Sequence, residues 1–233
     1  MIAPTLMLHA EEAQWVDAAV AEITAGLQAS LDAEGRARLL VSGGSTPAPV
    51  YRALSRQPLD WSRISIGLVD ERWLPVDAAD SNARLVRETL LQHHAADARF
   101  EPMLVPGRNF DDSVAEANRL SARASVMVLG MGADGHTASL FPGMKGLDEA
   151  LASGQDYVGI DATGCPGAQS WPRRISLTPT GLSRPQWRLM LVRGEAKLQL
   201  LQRALAGEDP RELPVRAAFA SGSALHVHGC LQP

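Results

Sequence analysis

The sequence contains only two cysteines, Cys165 and Cys230, which stand far apart and form no CxxC motif. A disulfide framework or a cysteine-based zinc site would need more thiols, so neither is indicated. The chain also lacks any apolar run of about 18 residues, the length needed to cross a bilayer. Its amino-terminal segment contains no basic leader. We therefore expect a cytoplasmic protein without a membrane partner.

Positive charge is not in excess either. The chain has 22 Lys and Arg against 26 Asp and Glu, for a formal net charge of −4. A general nucleic-acid-binding surface needs a basic face, so we expect no nucleic-acid partner. Specific recognition of phosphate by one or two cations is still compatible with this balance. With 233 residues, 45% of them hydrophobic, and no repeat or linker, the chain is predicted to form a single domain over residues 1–233.

Apolar periodicity predicts alternating helices and strands in the first half of the chain. Trp15, Ala19, Ile23 and Leu27 recur every three or four residues, as on the buried face of a helix over residues 10–31. Such alternation is typical of parallel strands joined by crossover helices that cover both faces of a sheet. Further helices are predicted at about 47–56, 81–93 and 112–122, and strands at 37–44, 63–70, 100–105 and 125–130.

The second half of the chain is less regular. The short spacer between the strands predicted at 157–162 and 173–178 favours antiparallel pairing. More strands are predicted at 187–192 and 224–229, with a helix at 194–206. The predicted fold is therefore a three-layer α/β/α domain, with a largely parallel sheet and some antiparallel strands in the C-terminal half. Ligands of such sheets bind beyond the carboxyl ends of the strands.

The segment SGGSTP, residues 42–47, joins a predicted strand to a predicted helix. Two adjacent glycines allow backbone N–H groups to face outward, and the partial positive charge of a helix amino end favours phosphate. Thr46 is predicted to cap the helix, with Pro47 at its first position. A tight turn that binds no ligand would have the same sequence. The segment matches neither the Walker P-loop nor GxGxxG, so it does not indicate a nucleotide. The phosphate-binding candidates here are Ser42, Gly43, Gly44, Ser45 and Thr46.

Asp70, Glu71 and Arg72 place three charges at the end of another predicted strand. One interpretation is an ion-pair cluster that only stabilises the fold. The other assigns Asp70 or Arg72 to a ligand, and it favours Arg72 because a fixed planar cation binds oxygen without changing its protonation state. Ser81 and Asn82 follow in the chain, where they could close a site through hydrogen bonds or cap a helix.

The segment GMGADGHTASLFPG, residues 130–143, carries the sharpest functional signal. It follows a predicted buried strand, and its glycines permit close approach of a ligand to the backbone. Because a histidine can take up and return a proton near neutral pH, we interpret His136 as a general base rather than a structural residue. Asp134 could orient that imidazole or contact the substrate.

Two later cations are candidates to complete a phosphate clamp with the glycine turn. Arg174 lies near the start of a predicted strand, and Lys197 lies near the start of a predicted helix. Arg174 would supply paired hydrogen bonds and Lys197 a point charge, although solvated surface charge is the commoner fate of both residue types. His226 and His228 share one face of the last predicted strand. Two ligands without a third are weak support for a metal, so we predict none.

Taken together, these segments resemble the 6-phosphogluconolactonase family, the sugar-lactone hydrolases of the pentose phosphate pathway. The motifs occur in the family's order: SGGSTP at 42–47, VDERW at 69–73, SN at 81–82, the histidine segment at 130–143, RISLT at 174–178 and GEAK at 194–197. The resemblance implies a fold related to glucosamine-6-phosphate deaminases and ribose-5-phosphate isomerases. It also implies hydrolysis of 6-phospho-D-glucono-1,5-lactone to 6-phospho-D-gluconate without a cofactor.

The resemblance also implies residue roles. His136 would be the catalytic base, Arg72 would contact the reacting lactone, and Arg174 and Lys197 would hold phosphate beside the glycine turn. The expected partner is a small sugar-phosphate lactone, and the expected state is a monomer or small homo-oligomer.

Two other functions stay open. Amino-sugar phosphate deaminases or isomerases resemble DGHIAFNEP at the histidine segment, with an acidic residue shortly after the histidine, whereas here the next carboxylate is Asp148. A non-catalytic sugar-phosphate sensor could share the fold and bind without turnover.

Overall fold

The computed structural model describes residues 4–75, 77–220 and 222–232. The described strands are β1 Thr5–His9, β2 Ala37–Val41, β3 Ile64–Leu68, β4 Asp70–Arg72, β5 Arg99–Glu101, β6 Val126–Gly130, β7 Tyr157–Asp161, β8 Arg173–Leu177, β9 Trp187–Arg193 and β10 Leu225–Cys230. The described α-helices are α1 Glu12–Glu34, α2 Ala48–Leu54, α3 Asn82–Thr89, α4 Phe110–Arg119, α5 Leu147–Leu151, α6 Pro179–Ser183, α7 Glu195–Leu205 and α8 Ala217–Ala220. Short 3-10 helices span Trp61–Arg63, His93–Asp97, Pro166–Ala168 and Pro214–Arg216.

Within the described ranges, seven strands form a parallel sheet in the order β1-β10-β9-β6-β2-β3-β5. From β2 the chain runs outward through β3 to β5, and it then returns to add β6 on the other side of β2. The strand order therefore reverses between β2 and β6. In open α/β sheets a ligand binds at such a reversal, beyond the carboxyl ends of the strands. The glycine turn follows β2, and the histidine segment follows β6.

Helices cover both faces of this sheet. Side chains of a strand point alternately to its two faces, and β10 shows which helix lies on each side. His228 contacts Glu22 of α1, whereas a Cβ placed on the next residue, Gly229, would lie 2.8 Å from Leu198 of α7. The three-layer α/β/α prediction with a largely parallel sheet is confirmed.

A second, antiparallel sheet joins β4, β8 and β7. The predicted pairing of the segments around β7 and β8 is thus confirmed. The strand predicted at 63–70 is too long, since β3 ends at Leu68 and the chain enters the second sheet as β4. In the register of β4 with β8, Arg72 lies opposite Arg174. The second sheet therefore brings together two cations that are about a hundred residues apart in the sequence.

The parallel sheet also differs from the sequence prediction at β1 and β5. The sequence analysis does not predict β1. Among the described strands it pairs only with β10, so it lies at the edge of the sheet. Its side chains there are mostly exposed. The strand predicted at 100–105 is wrong beyond Glu101, because Pro102 has no N–H with which to continue the ladder.

Candidate active site

A cleft of about 290 Å³ opens where the segments after β2 and β6 meet β4, β8 and the first turn of α7. From the glycine turn it is lined by Ser42, Gly43, Gly44, Ser45 and Thr46. From the rest of the chain, the predicted residues that line it are Asp70, Arg72, Asn82, His136, Arg174 and Lys197. Asp134 lies behind His136 and is not among the lining residues.

The glycine turn forms one wall of the cleft through its backbone. Gly44 has φ 91°, a left-handed conformation that favours glycine. A Cβ on Gly43 would lie 1.9 Å from the Asn82 Oδ1, so only glycine fits there. The predicted helix start is wrong: α2 begins at Ala48, Pro47 is its N-cap residue, and no side chain caps it. The prolines at 47 and 49 have no backbone N–H. The start of the helix therefore has fewer unpaired N–H groups that a Thr46 side chain could accept from.

His136 and Asp134 form a hydrogen-bonded pair. The His136 Nδ1 lies 2.5 Å from the Asp134 Oδ1, and the His136 backbone N–H donates to the same oxygen at 3.2 Å. An ionised carboxylate only accepts hydrogen bonds, so Nδ1 carries a proton, and in the neutral imidazole Nε2 is left to accept one. Burial alone would raise the pKa of Asp134, but the hydrogen bond and charge of His136 lower it below its ordinary value. This geometry favours the orienting role for Asp134 over substrate contact.

Glycines make room for this pair. A Cβ on Gly132 would lie 2.1 Å from the His136 Nδ1, and one on Gly167 would lie 2.2 Å from the Asp134 Oδ2. On another side the Phe141 ring packs against the imidazole, with 4.4 Å between ring centroids. The histidine segment thus holds its imidazole by contacts on several sides, and a larger residue at either glycine would displace it.

Glu71 holds the backbone of two cleft-lining residues, Arg72 and Asn82, a role that the sequence analysis does not assign to it. Its carboxylate is 1% exposed and accepts the backbone N–H groups of Arg72, Asn82 and Ala83 at 2.8–2.9 Å. It also accepts the Ser81 hydroxyl at 3.1 Å, and Ser81 in turn caps α3. Burial raises the pKa of Glu71 despite these hydrogen bonds. Glu71 therefore ties β4 to the start of α3.

Asn82 connects two candidate residues of β4. Its Oδ1 accepts from the Arg72 Nη1 at 3.0 Å, while its Nδ2 donates to the Asp70 carbonyl at 2.8 Å. The Arg72 Nη1 also donates to the carbonyl of Asp80, and the Asp70 carboxylate accepts the Ser139 hydroxyl. Ser81 thus caps the helix, as one interpretation predicts, and Asn82 lines the cleft.

Two cations line the cleft besides Arg72. Arg174 is 4% exposed, and its Nε and Nη2 donate to the carbonyls of Trp171 and Ala168, each at 2.8 Å. Its Nη1 has no hydrogen-bond partner within the described residues. Lys197 has no ion-pair partner in that part of the chain either, and burial lowers the pKa of both side chains. An anionic ligand would offset the cost of burying these two cations.

Outside the cleft, His226 and His228 both contact the carboxylate of Glu22, with the His228 Nε2 2.7 Å from Glu22 Oε2. In the described ranges no group of three or more His, Cys, Asp or Glu is placed to hold a metal ion. No helix among the described residues combines the length and the apolar character that a membrane span needs.

Comparison with known proteins agrees with the fold and the motifs. Residues 10–227 match the family model described as "Glucosamine-6-phosphate isomerases/6-phosphogluconolactonase". A protein of Xylella fastidiosa named 6-phosphogluconolactonase is 49% identical over 230 residues, which cover 97% of this chain and 96% of the relative. A protein of the same name from Pseudomonas aeruginosa is 42% identical over 211 residues, covering 88% and 87%.

A solved structure shows the same architecture. The crystal structure of a putative 6-phosphogluconolactonase from Neisseria gonorrhoeae superposes with a TM-score of 0.89 at 31% identity, covering 97% of this chain and 99% of that one. Since the family model spans most of the chain and the relatives align along nearly all of it, this chain belongs to the glucosamine-6-phosphate isomerase/6-phosphogluconolactonase family.

Proposed function

We propose that the protein hydrolyses 6-phospho-D-glucono-1,5-lactone to 6-phospho-D-gluconate. The observation that carries this proposal is that one cleft is lined by the imidazole of His136 and by Lys197, a cation with no ion-pair partner within the described residues. The names of the relatives support the same reaction. A lactone is an activated ester, so a base, a water molecule and a donor for the oxyanion are sufficient in principle.

The phosphate end of the substrate binds at Lys197, Arg174 and the glycine turn. Burial disfavours an uncompensated ammonium, so a phosphate beside Lys197 offsets that cost. The Arg174 Nη1 and the backbone amides after Ser42 add hydrogen bonds to the phosphate. Anchoring this end fixes the distant carbonyl relative to the base, and such positioning can supply several kcal/mol of rate acceleration, on the order of 7–11 at most.

The reacting end binds between His136 and Arg72. The His136 Nε2 removes a proton from water, and the resulting hydroxide attacks the C1 carbonyl to give a tetrahedral oxyanion. Arg72 or a backbone N–H stabilises that oxyanion. The bond from C1 to the ring oxygen then breaks, and the imidazolium returns its proton to that oxygen, which becomes the C5 hydroxyl. Asp134 stabilises the imidazolium between the two steps.

The direct test is turnover of lactone made by dehydrogenase-catalysed oxidation of glucose 6-phosphate, with spontaneous opening subtracted. We expect acceleration of lactone opening and no release of ammonia from glucosamine 6-phosphate. The second expectation follows because Asp148, the first carboxylate after His136, lies at the surface in an ion pair with Arg211. Deamination would support the amino-sugar enzyme instead, and binding without acceleration would support a sensor.

The setting of the reaction is also a proposal. Because water and a base suffice for the chemistry, we infer that no cofactor or metal takes part. We further propose that residues 1–233 act as one domain, as a monomer or small homo-oligomer in the cytoplasm, without a nucleic-acid partner. The net charge of −4 supports the last point. Native mass spectrometry measures the oligomeric state, and activity after exhaustive chelation measures any metal requirement.

A further inference from the structure

Gln169 is a cleft-lining residue that the sequence analysis did not single out. Its backbone has φ 51° and ψ −133°, a conformation that residues with a Cβ rarely adopt. Strain of this kind persists only where the surrounding structure enforces it, and it concentrates at ligand sites. A glycine would adopt the same conformation without strain, so the presence of a glutamine calls for a role for its side chain.

The chain around Gln169 is fastened on both sides. The Trp171 Nε1 donates to the Asp80 carboxylate at 2.7 Å, which ties the segment at residues 165–171 to the loop before α3. The carbonyls of Ala168 and Trp171 accept from the Arg174 guanidinium. Because these contacts fix the residues on both sides of Gln169, its backbone cannot relax out of the strained conformation.

The Gln169 side chain is available to a ligand. The residue is exposed, and its carboxamide makes no hydrogen bond within the described ranges. A carboxamide offers both N–H donors and an oxygen acceptor, which is the pattern that a sugar hydroxyl satisfies. Two residues earlier, Gly167 abuts Asp134, so this segment borders the imidazole side of the cleft. The phosphate, by contrast, is drawn to the cations.

We propose that Gln169 is a specificity-determining residue whose carboxamide hydrogen-bonds a ring hydroxyl of the phosphorylated lactone. This inference rests on the proposed lactonase function. The strained backbone directs the amide toward the sugar ring, between the phosphate and the carbonyl that reacts. The substrate class is therefore lactones of hydroxylated sugar phosphates, and lactones that lack the recognised hydroxyl bind less well.

The test compares wild type, Gln169→Ala and the control Gln14→Ala on four lactones: 6-phosphogluconolactone and its 2-deoxy, 3-deoxy and 4-deoxy analogues. Gln14 is an exposed glutamine of α1 outside the cleft. Loss of one neutral hydrogen bond lowers kcat/KM about threefold to tenfold. We expect Gln169→Ala to show that loss on the parent lactone and to match wild type on one deoxy analogue, while Gln14→Ala matches wild type throughout.

In this comparison of Gln169→Ala with wild type, two outcomes overturn the inference alone: no change on the parent lactone, or the same proportional loss on all four lactones. If wild type accelerates none of these reactions, the proposed function fails and this inference fails with it. The two failures are therefore distinguishable.

Gln169→Gly separates ligand contact from a structural role. Relief of the backbone strain should make this variant melt about 2–4 °C above Gln169→Ala. If the side chain contacts substrate, Gln169→Gly nonetheless loses as much kcat/KM on the parent lactone as Gln169→Ala. Recovery of wild-type kcat/KM in the more stable glycine variant would show that only stability mattered, and would overturn the inference.

Discussion

His136 and Lys197 line one cleft, yet they are expected to affect different kinetic constants. His136 gains its orientation from Asp134, which fixes the proton on Nδ1. Lys197 makes no ion pair within the described residues, and burial lowers its pKa. An oriented base accelerates the chemical step, so its loss mainly lowers kcat. A partly buried cation binds the anionic end of the substrate, so its loss mainly raises KM.

Replacing His136 should therefore lower turnover. His136→Asn removes the group that accepts the proton, and general-base catalysis is typically worth about 10²–10⁴-fold. We expect kcat to fall by at least about a hundredfold with little change in KM, whereas Lys197→Ala raises KM with a smaller effect on kcat. Steady-state kinetics with the spontaneous rate subtracted measures both constants. Full turnover in His136→Asn would remove the imidazole from the mechanism.

Affinity for the product should depend on pH through Lys197. Burial lowers the pKa of Lys197, so the free protein loses this positive charge at a lower pH than for an ordinary lysine. Binding of 6-phosphogluconate should weaken as pH rises through that lowered pKa. In Lys197→Arg the weakening should move to higher pH, because arginine stays charged. Calorimetric titration between pH 7 and 10 measures the affinity for 6-phosphogluconate. If that affinity depends on pH identically in wild type and Lys197→Arg, Lys197 is not the group that binds the phosphate.

At the scale of elements, the junction of β4 with α3 depends on one buried carboxylate. The patterns of the sequence predict a charged cluster at 70–72 and a helix start near 81, but not that Glu71 joins them. Local sequence patterns do not predict the pairing of β4 with β8 either, since it joins segments that are distant in sequence. By contrast, continuous apolar strands such as β6 and β9 are predictable because both their faces are buried.

Glu71→Gln tests that junction. The carboxylate accepts hydrogen bonds through both oxygens, and an amide would turn an N–H donor toward donors of the backbone. Leaving such buried groups unsatisfied costs about 1–3 kcal/mol. We expect a lower melting temperature, while Glu88→Gln on the exposed side of α3 should change little. Thermal unfolding at pH 7 compares them, and equal melting temperatures would show that Glu71 is not needed for this junction.

At the scale of the whole molecule, the reversal of strand order between β2 and β6 creates the cleft. The sequence predicts the alternation of helices and strands, and with it the edge of the sheet that carries the proposed ligand site. It does not predict β1, whose exposed edge position leaves little apolar pattern. Nor does it predict the strained backbone of Gln169, because no sequence pattern indicates a positive φ at a residue other than glycine. Those features depend on contacts between distant segments.

The most direct test of the central claim is a crystal structure of the protein with 6-phosphogluconate bound. We predict that the phosphate lies within hydrogen-bond distance of Lys197 and Arg174, and that the carboxylate of the same molecule lies beside the His136 Nε2. A phosphate bound away from Lys197, or a carboxylate out of reach of His136, would contradict the account.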